Sequence, residues 1–116
     1  KNFANSFTKS RLLAEKGDAA GAKKLMDEAL PGANEVELNA YGYQLLGGAN
    51  SADAIAIFRE NVKRHPESWN AHDSLGEGLA ATGKKVEAAA MYRKALAMAP
   101  EAQKARIQGI LDGLQK

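Results

Sequence analysis

The chain lacks cysteine and is poor in proline and aromatic residues, with 3 prolines and 6% aromatics among 116 residues. The absence of cysteine excludes disulfides and thiolate chemistry, and it is compatible with both reducing and oxidising compartments. No apolar run approaches the roughly 18 residues that a membrane-spanning helix needs, and no signal peptide is recognisable. The core must therefore form by packing alone, without covalent cross-links.

An excess of one charge is also missing. Sixteen basic and fourteen acidic residues give a net charge of +2, and the two signs are interspersed along the chain. A nucleic-acid surface needs a stripe of Lys and Arg, whereas Lys63-Arg64, Lys84-Lys85 and Arg93-Lys94 are short pairs. We expect neither nucleic acid nor a membrane as partner. The composition, 45% hydrophobic and 26% charged, fits one soluble globular domain, and its many alanines favour helices over sheet.

The chain does contain an internal repeat. Residues of the same class recur at an offset of 34, namely Gly42 and Gly76, Ala54 and Ala88, Phe58 and Tyr92, and Pro66 and Pro100. This offset is the period of the tetratricopeptide repeat, in which each repeat is a pair of helices. Small residues let paired helices approach, bulky ones fill the space between pairs, and prolines end each repeat. A degenerate copy lies upstream, with Ala22 at the small position, Met26 at the bulky one, and a shorter connector around Pro31.

These patterns predict an all-α fold, a right-handed α-solenoid of about three helical hairpins and a C-terminal capping helix. The single domain, 1–116, divides into a degenerate repeat at 1–33, repeats at 34–66 and 67–99, and the capping helix at 100–116. Apolar spacing predicts helices at about 2–16, 18–30, 34–47, 51–64, 67–82, 84–98 and 100–115. Turns are expected at Gly17, Gly47-Gly48 and Gly83, and Asn50 or Ser51 can cap the fourth helix. Because the chain starts at Lys1 inside a predicted helix, we expect a piece of a longer protein.

Several stretches resemble a known bacterial arrangement. They are NFANSFTKSRLLAEKGDAAGAKKLMDEALP at 2–31, EVELNAYGYQLL at 35–46, NVKRHPESWNAH at 61–72 and APEAQKARIQGILDGL at 99–114. Together they resemble the C-terminal tetratricopeptide-repeat region of exported bacterial proteins that carry an N-terminal β-rich domain of unknown function. Similar repeats are appended to some β-lactamase-like serine hydrolases. The resemblance implies a periplasmic or extracellular location, although a cysteine-free chain fits the cytoplasm as well. Ser6 stands where this repeat usually has a bulky apolar residue, so we expect looser packing of the first hairpin.

Residue types suited to catalysis do not form a recognisable constellation. His65 and His72 are seven residues apart, and His72 occupies a usually apolar packing position, so we expect a structural histidine rather than a metal ligand. Asp73 and Glu77 form a carboxylate pair on one helical face, which is typical of a solvated acidic surface. The Gly17 turn lacks the Lys-Ser/Thr that follows a phosphate-binding loop. We therefore predict no enzyme activity and no catalytic, cofactor or metal site.

The first helix of each predicted hairpin lines the concave surface of such a solenoid, and its outward residues face solvent. In the repeat register these groove residues are Phe7, Arg11, Val36, Asn39, Tyr43, Leu46, Asn70, Asp73, Glu77 and Ala80. Exposed aromatics such as Phe7 and Tyr43 are typical anchors for a partner. The alternative is that these two residues only cover the seams between repeats. No lysines accompany the groove asparagines, so the pattern does not predict a clamp for the C-terminal carboxylate of a peptide.

The predicted function is a non-catalytic scaffold for protein or interdomain interaction. Its groove would bind a peptide segment, another protein, or the N-terminal domain of its own parent. The alternative is a structural appendage that positions a larger enzyme such as a serine hydrolase. We expect a monomer, or a weak homodimer formed through an exposed helix face.

Overall fold

Seven α-helices make up most of the described chain. The computed structural model describes residues 3–48 and 50–115, and Lys1, Asn2, Ala49 and Lys116, which the predicted bounds include, lie outside the described residues. The helices are α1 (Phe3–Glu15), α2 (Ala19–Ala29), α3 (Glu35–Gly47), α4 (Ser51–Arg64), α5 (Trp69–Ala81), α6 (Lys85–Met98) and α7 (Glu101–Leu114), with a 3₁₀ turn at Leu30–Gly32. No described residue forms a β-strand. The all-α prediction is confirmed, and each helix begins and ends within two residues of its predicted position.

Glycine allows the chain to reverse direction after α1 and after α5. Gly17 and Gly83 have φ values of 90° and 83°, in the left-handed region that strains any residue with a Cβ. The amide that follows each glycine donates to a carbonyl five residues earlier, at 2.9 Å in both turns. This is the Schellman closure of a helix end. The two turns therefore stop their helices by the same backbone mechanism.

Polar side chains cap the starts of α2, α3 and α5. Asp18, Asn34 and Ser68 each accept a hydrogen bond from the amide three residues later, at 2.9, 2.8 and 3.0 Å. The backbone amide of Asn34 donates to Oε1 of Glu37 at 3.0 Å, which completes a capping box. Asn50 is the residue before α4, as predicted, but its side chain makes no capping hydrogen bond. Local side-chain hydrogen bonds thus mark the starts of α2, α3 and α5.

The helices pack as hairpins that follow one another along the chain. Helix α1 pairs with α2, α3 with α4 and α5 with α6, while α4 lies along α5 and α6 along α7. Helices α1, α3 and α5 also approach one another more closely than the even-numbered helices do. The resulting molecule is elongated, with extents of 42 × 25 × 20 Å. The surface formed by α1, α3 and α5 is called the odd-helix face below, because all ten predicted groove residues belong to these three helices.

Glycines in α3 and α5 let an aromatic ring from the next helix lie directly against the helix backbone. A Cβ placed on Gly42 would overlap Cε1 of Phe58, and one placed on Gly76 would lie 2.9 Å from Cε2 of Tyr92. Both contacts join the two helices of one hairpin. Phe58 also lies 3.0 Å from a Cβ placed on Gly78 of the next hairpin. Gly42 and Gly76 thus let the paired helices approach, as predicted, and Phe58 also reaches the next hairpin as a residue between pairs should, whereas Tyr92 contacts a glycine of its own hairpin.

The first hairpin packs less closely on the second than the second packs on the third. Helix α2 hardly approaches α3, whereas α4 lies along α5. The seam is closed at the connector, where Arg64 Nη1 donates to the carbonyl oxygens of Leu30 at 3.0 Å and Ala33 at 3.3 Å. Met26 and Leu38 fill the core on this side of the molecule. One end of the seam is therefore held by a charged side chain and buried apolar residues.

The other end of the seam is open. A cleft of about 410 Å³ lies between α1–α2 and α3–α4, and the first hairpin lines it with small residues that include Ser10, Ala14 and Ala22. Ser6, the position expected to loosen this hairpin, is itself buried. The unfilled space therefore lies further along α1, where the side chains are too short to reach α3.

Replacing Gly42 by Ala should lower the free energy of unfolding by roughly 1–3 kcal/mol, because the added methyl group overpacks a filled core. Phe58 cannot retreat from Gly42, since its ring is fully buried and Gly78 lies on another side. Urea unfolding followed by circular dichroism measures the change. Gly109→Ala on α7 is the matched control, because no atom lies within 4 Å of its added Cβ and helix propensity alone should raise stability by up to about 1 kcal/mol. Equal stability of the two variants would contradict the packing assigned to Gly42.

Candidate binding site

Polar side chains from α3, α5 and α7 lie on the odd-helix face in two hydrogen-bonded sets, one around Tyr43 and the other an Asp73–Arg106 pair, and Asp73 and Ser74 are chain neighbours on α5. This polar cluster consists of Asn39, Tyr43, Asp73, Ser74, Glu77 and Arg106. Four of its members, Asn39, Tyr43, Asp73 and Glu77, are predicted groove residues. The structure thus brings together the predicted residues of the second and third hairpins.

Tyr43 lies at the centre of the cluster. Its hydroxyl donates to Oε1 of Glu77 at 2.8 Å and lies 3.3 Å from the hydroxyl of Ser74, which in turn donates to Oδ1 of Asn39. The ring packs edge-on against Phe58, with centroids 5.1 Å apart. Burial raises the pKa of Tyr43 to about 12. The ring of Tyr43 therefore packs on the core, while its hydroxyl joins α3 to α5 within the half-exposed cluster.

Asp73 is the one predicted groove residue that is buried, with 7% of its surface exposed. The expectation that it faces solvent is wrong, because Arg106 of α7 reaches it and places Nη2 3.2 Å from Oδ2. The other carboxylate oxygen, Oδ1, is buried and has no donor among the described residues. Burial raises the pKa of Asp73, and the hydrogen bond and charge of Arg106 oppose that shift. Asp73 is therefore a carboxylate that is only partly satisfied.

Ser74 and Arg106 are cluster residues that the sequence analysis missed. A usable signal was the repeat period itself, because polar residues one period apart lie side by side on neighbouring odd-numbered helices. Tyr43 and Glu77 are 34 residues apart and Asp73 and Arg106 are 33 apart. Applying the period of 34 to Asp73 leads to Ile107 on α7, the residue next to Arg106, and would have indicated this turn of α7 as the neighbour of Asp73.

The two predicted groove residues of α1 lie apart from the polar cluster. Phe7 stacks on Phe3 with centroids 5.9 Å apart and meets Tyr41 edge-on at 6.2 Å. It is half-buried, so it covers the seam between the first and second hairpins. Arg11 is exposed. The structure therefore favours the seam-covering alternative for Phe7.

The remaining predicted groove residues differ in exposure. Val36 is 76% exposed in the first turn of α3. Leu46 and Ala80 are half-buried and pack against the main core, and Asn70 is half-buried near the start of α5. Val36 and Asn70 are thus accessible to solvent at one end of the odd-helix face, whereas Leu46 and Ala80 pack against the core at its other end.

The described residues offer no metal-binding group, since nowhere do three or more His, Cys, Asp or Glu side chains converge in residues 3–48 and 50–115. His72 is buried, and its Nδ1 donates to the carbonyl oxygen of Ser68 at 2.8 Å. The expected structural role of His72 agrees with this bond. No helix in the described part of the chain is long and apolar enough to cross a membrane.

Comparison with known proteins gives no family for this chain. A scan of protein families finds no match, and a search of curated proteins finds no significant match either. The case for a function therefore depends on the geometry of the chain itself.

Replacing Tyr43 by Phe should flatten the decline of stability at alkaline pH. The unfolded chain loses the tyrosine proton near its ordinary pKa of 10.0, whereas the folded chain keeps it to about pH 12. The folded state therefore binds more protons in this window, and the free energy of unfolding falls as pH rises from about 10 to 12. Chemical unfolding at a series of pH values measures the slope. If wild type and Tyr43→Phe have the same slope, Tyr43 titrates normally and is not buried as described.

Replacing Arg106 by Gln should lower the free energy of unfolding by roughly 1–3 kcal/mol at pH 7, because a buried carboxylate loses its donor. The loss should shrink in acid, since Asp73 without Arg106 is more readily protonated and the neutral acid tolerates burial. Chemical unfolding at pH 7 and in acid measures the free energy of unfolding of wild type and variant. Arg93→Gln, on an exposed position of α6, should change stability by less than about 0.5 kcal/mol. A loss for Arg106→Gln that is independent of pH would rule out the ion pair as its cause.

Proposed function

We propose that the chain is a tetratricopeptide-repeat solenoid that binds an extended protein segment along its odd-helix face, without catalysing a reaction. The observation that carries this proposal is the polar cluster, which presents a tyrosine hydroxyl, an amide and a carboxylate from two neighbouring helices on one half-exposed surface. The recurrence of the glycine–aromatic contact at Gly42 and Gly76 supports the repeat assignment. The pairing of each hairpin with its neighbours in the chain supports the solenoid.

An extended segment suits this surface because its backbone amides and carbonyls need hydrogen-bonding partners. Asn39 and Asn70 are half-buried amides on α3 and α5, and an amide side chain offers both a donor and an acceptor. The Asn39 carbonyl already accepts from Ser74, which fixes the orientation of its amide nitrogen. A fixed donor on a rigid helix loses little entropy on binding. The asparagines would thus hold the backbone of the partner while Tyr43 supplies apolar contact area.

The partner would be a separate protein or the N-terminal domain of an exported parent protein, as the sequence resemblance implies. Both would present an extended segment to the same helices, so the proposal is the same for either source. Val36, which is 76% exposed at one end of the face, provides an apolar contact for that segment.

A selection of short random peptides displayed on phage, with the purified chain as bait, tests this function. We expect retained peptides to bind Asn39→Ala/Asn70→Ala about tenfold more weakly than wild type, since two hydrogen bonds to the peptide backbone are lost. Gln108→Ala removes an exposed amide on α7 and should leave affinity unchanged. Circular dichroism shows that the variants keep their helices, and isothermal calorimetry measures affinity. If no peptide is retained, or if the asparagine variant binds as wild type does, the chain is better regarded as a structural appendage of a larger protein.

A further inference from the structure

We propose that the polar cluster binds the charged end of a lysine or arginine side chain from the segment that lies on the odd-helix face. This inference rests on the proposed peptide-binding function and deepens it, because it names the chemistry of one ligand residue. Three properties of the cluster lead to it, namely its charge, an unused acceptor and its accessibility.

The cluster has an uncompensated negative charge. Asp73 and Glu77 lie one helical turn apart on α5, and like charges at this spacing repel each other. Arg106 is the basic side chain of the cluster and pairs with Asp73, so the cluster holds two carboxylates and one guanidinium. Burial raises the pKa of the neighbouring Tyr92, and the charges of Asp73 and Glu77 raise it further than Arg106 lowers it. At Tyr92 the two carboxylates thus outweigh the guanidinium, and a second cation would neutralise the remaining negative charge.

Asp73 also has an acceptor without a donor. Its Oδ1 atom is buried and unpaired among the described residues, although a buried carboxylate oxygen normally accepts at least one hydrogen bond. Arg106 does not supply this bond, because its Nη2 contacts Oδ2 and its Nε donates to Gln103. A lysine ammonium brings three donors and an arginine guanidinium five. A basic side chain would therefore contribute both the missing charge and the missing hydrogen bond.

The cluster can be reached from solvent through Glu77 and Arg106. Glu77 is exposed, and the side chain of Arg106 is 46% exposed over an Asp73 side chain that is 10% exposed. An incoming cation would meet the exposed Glu77 carboxylate first, and a displacement of the Arg106 guanidinium would then open Asp73 to it. Tyr43 holds Glu77 in place through its 2.8 Å hydrogen bond, so the first contact is already oriented.

An organic cation fits this cluster better than a metal ion. Asp73 and Glu77 are one helical turn apart, but no group of three or more His, Cys, Asp or Glu forms in the part of the chain that is described, and Ca²⁺ takes six or more oxygen ligands. The nearby hydroxyls of Tyr43 and Ser74 and the amide of Asn39 form a polar wall that suits an N–H donor. A lysine or arginine side chain belongs to a segment that binds the odd-helix face through its other residues as well. One ionic contact with the cluster is therefore sufficient to favour a basic residue at that position.

The test uses peptides obtained from the phage selection described above, measured by calorimetry on the full chain. We expect the retained peptides to share a Lys or Arg at a fixed position. That residue is then replaced by a neutral one, norleucine for Lys or citrulline for Arg. The replacement should weaken peptide binding to wild type about tenfold, and it should weaken binding to the Glu77→Gln variant by less than about twofold. Glu87→Gln is the matched control, because it removes the same charge from an exposed position beside Arg59 of α4. The Glu87→Gln variant should lose about tenfold in affinity when the basic residue of the peptide is replaced, as wild type does.

A charge exchange provides an independent readout. Glu77→Lys should bind the basic peptide poorly and should recover affinity for the same peptide with Glu in place of its basic residue, which a merely structural role of Glu77 would not produce. The retained peptides could instead depend on Asn39 and Asn70 for binding but share no Lys or Arg. That result would overturn this inference and leave the proposed function intact. If the library yields no binding peptide, both proposals fail.

Discussion

The arrangement of this protein depends on the direct contact between a glycine in one helix and an aromatic ring in the next. At Gly42 and Gly76 the missing side chain lets Phe58 and Tyr92 lie against the helix backbone, so the two helices of a hairpin approach more closely than ordinary side chains allow. Phe58 extends this contact to Gly78 of the following hairpin. Because the same ring touches two hairpins, the spacing within a hairpin and the spacing between hairpins are set together.

That spacing brings polar residues of successive repeats within hydrogen-bonding distance. The hydroxyl of Tyr43 reaches Glu77, and the hydroxyl of Ser74 reaches Asn39, because α3 and α5 lie next to each other on the odd-helix face. In each pair the two residues are about one repeat apart in sequence. The polar cluster thus forms where α3 and α5 lie side by side. Its net negative charge arises because α5 carries two carboxylates, Asp73 and Glu77, and α7 supplies one guanidinium, Arg106. A repeat with neutral residues at these positions would form the same backbone but a different surface.

The helices could be predicted from the sequence almost completely, whereas the cluster could be predicted only in part. Helix ends depend on local signals, such as the positive φ of Gly17 and the capping bond of Asn34, which need no knowledge of tertiary structure. The burial of Asp73 depends on Arg106, which comes from a helix that the repeat register does not include among the groove elements. The function and the tetratricopeptide assignment stay predictions, since they concern partners and relatives rather than local geometry.

The open seam beside the first hairpin has a consequence for how the molecule unfolds. Cooperativity in a stacked helical protein is transmitted through the interfaces between neighbouring units. Helix α2 hardly approaches α3, and much of the connection is made by Arg64 at the connector and by a small buried cluster around Met26. We therefore expect the first hairpin to open as a separate unit, so that its amide protons exchange with solvent while the second and third hairpins stay folded.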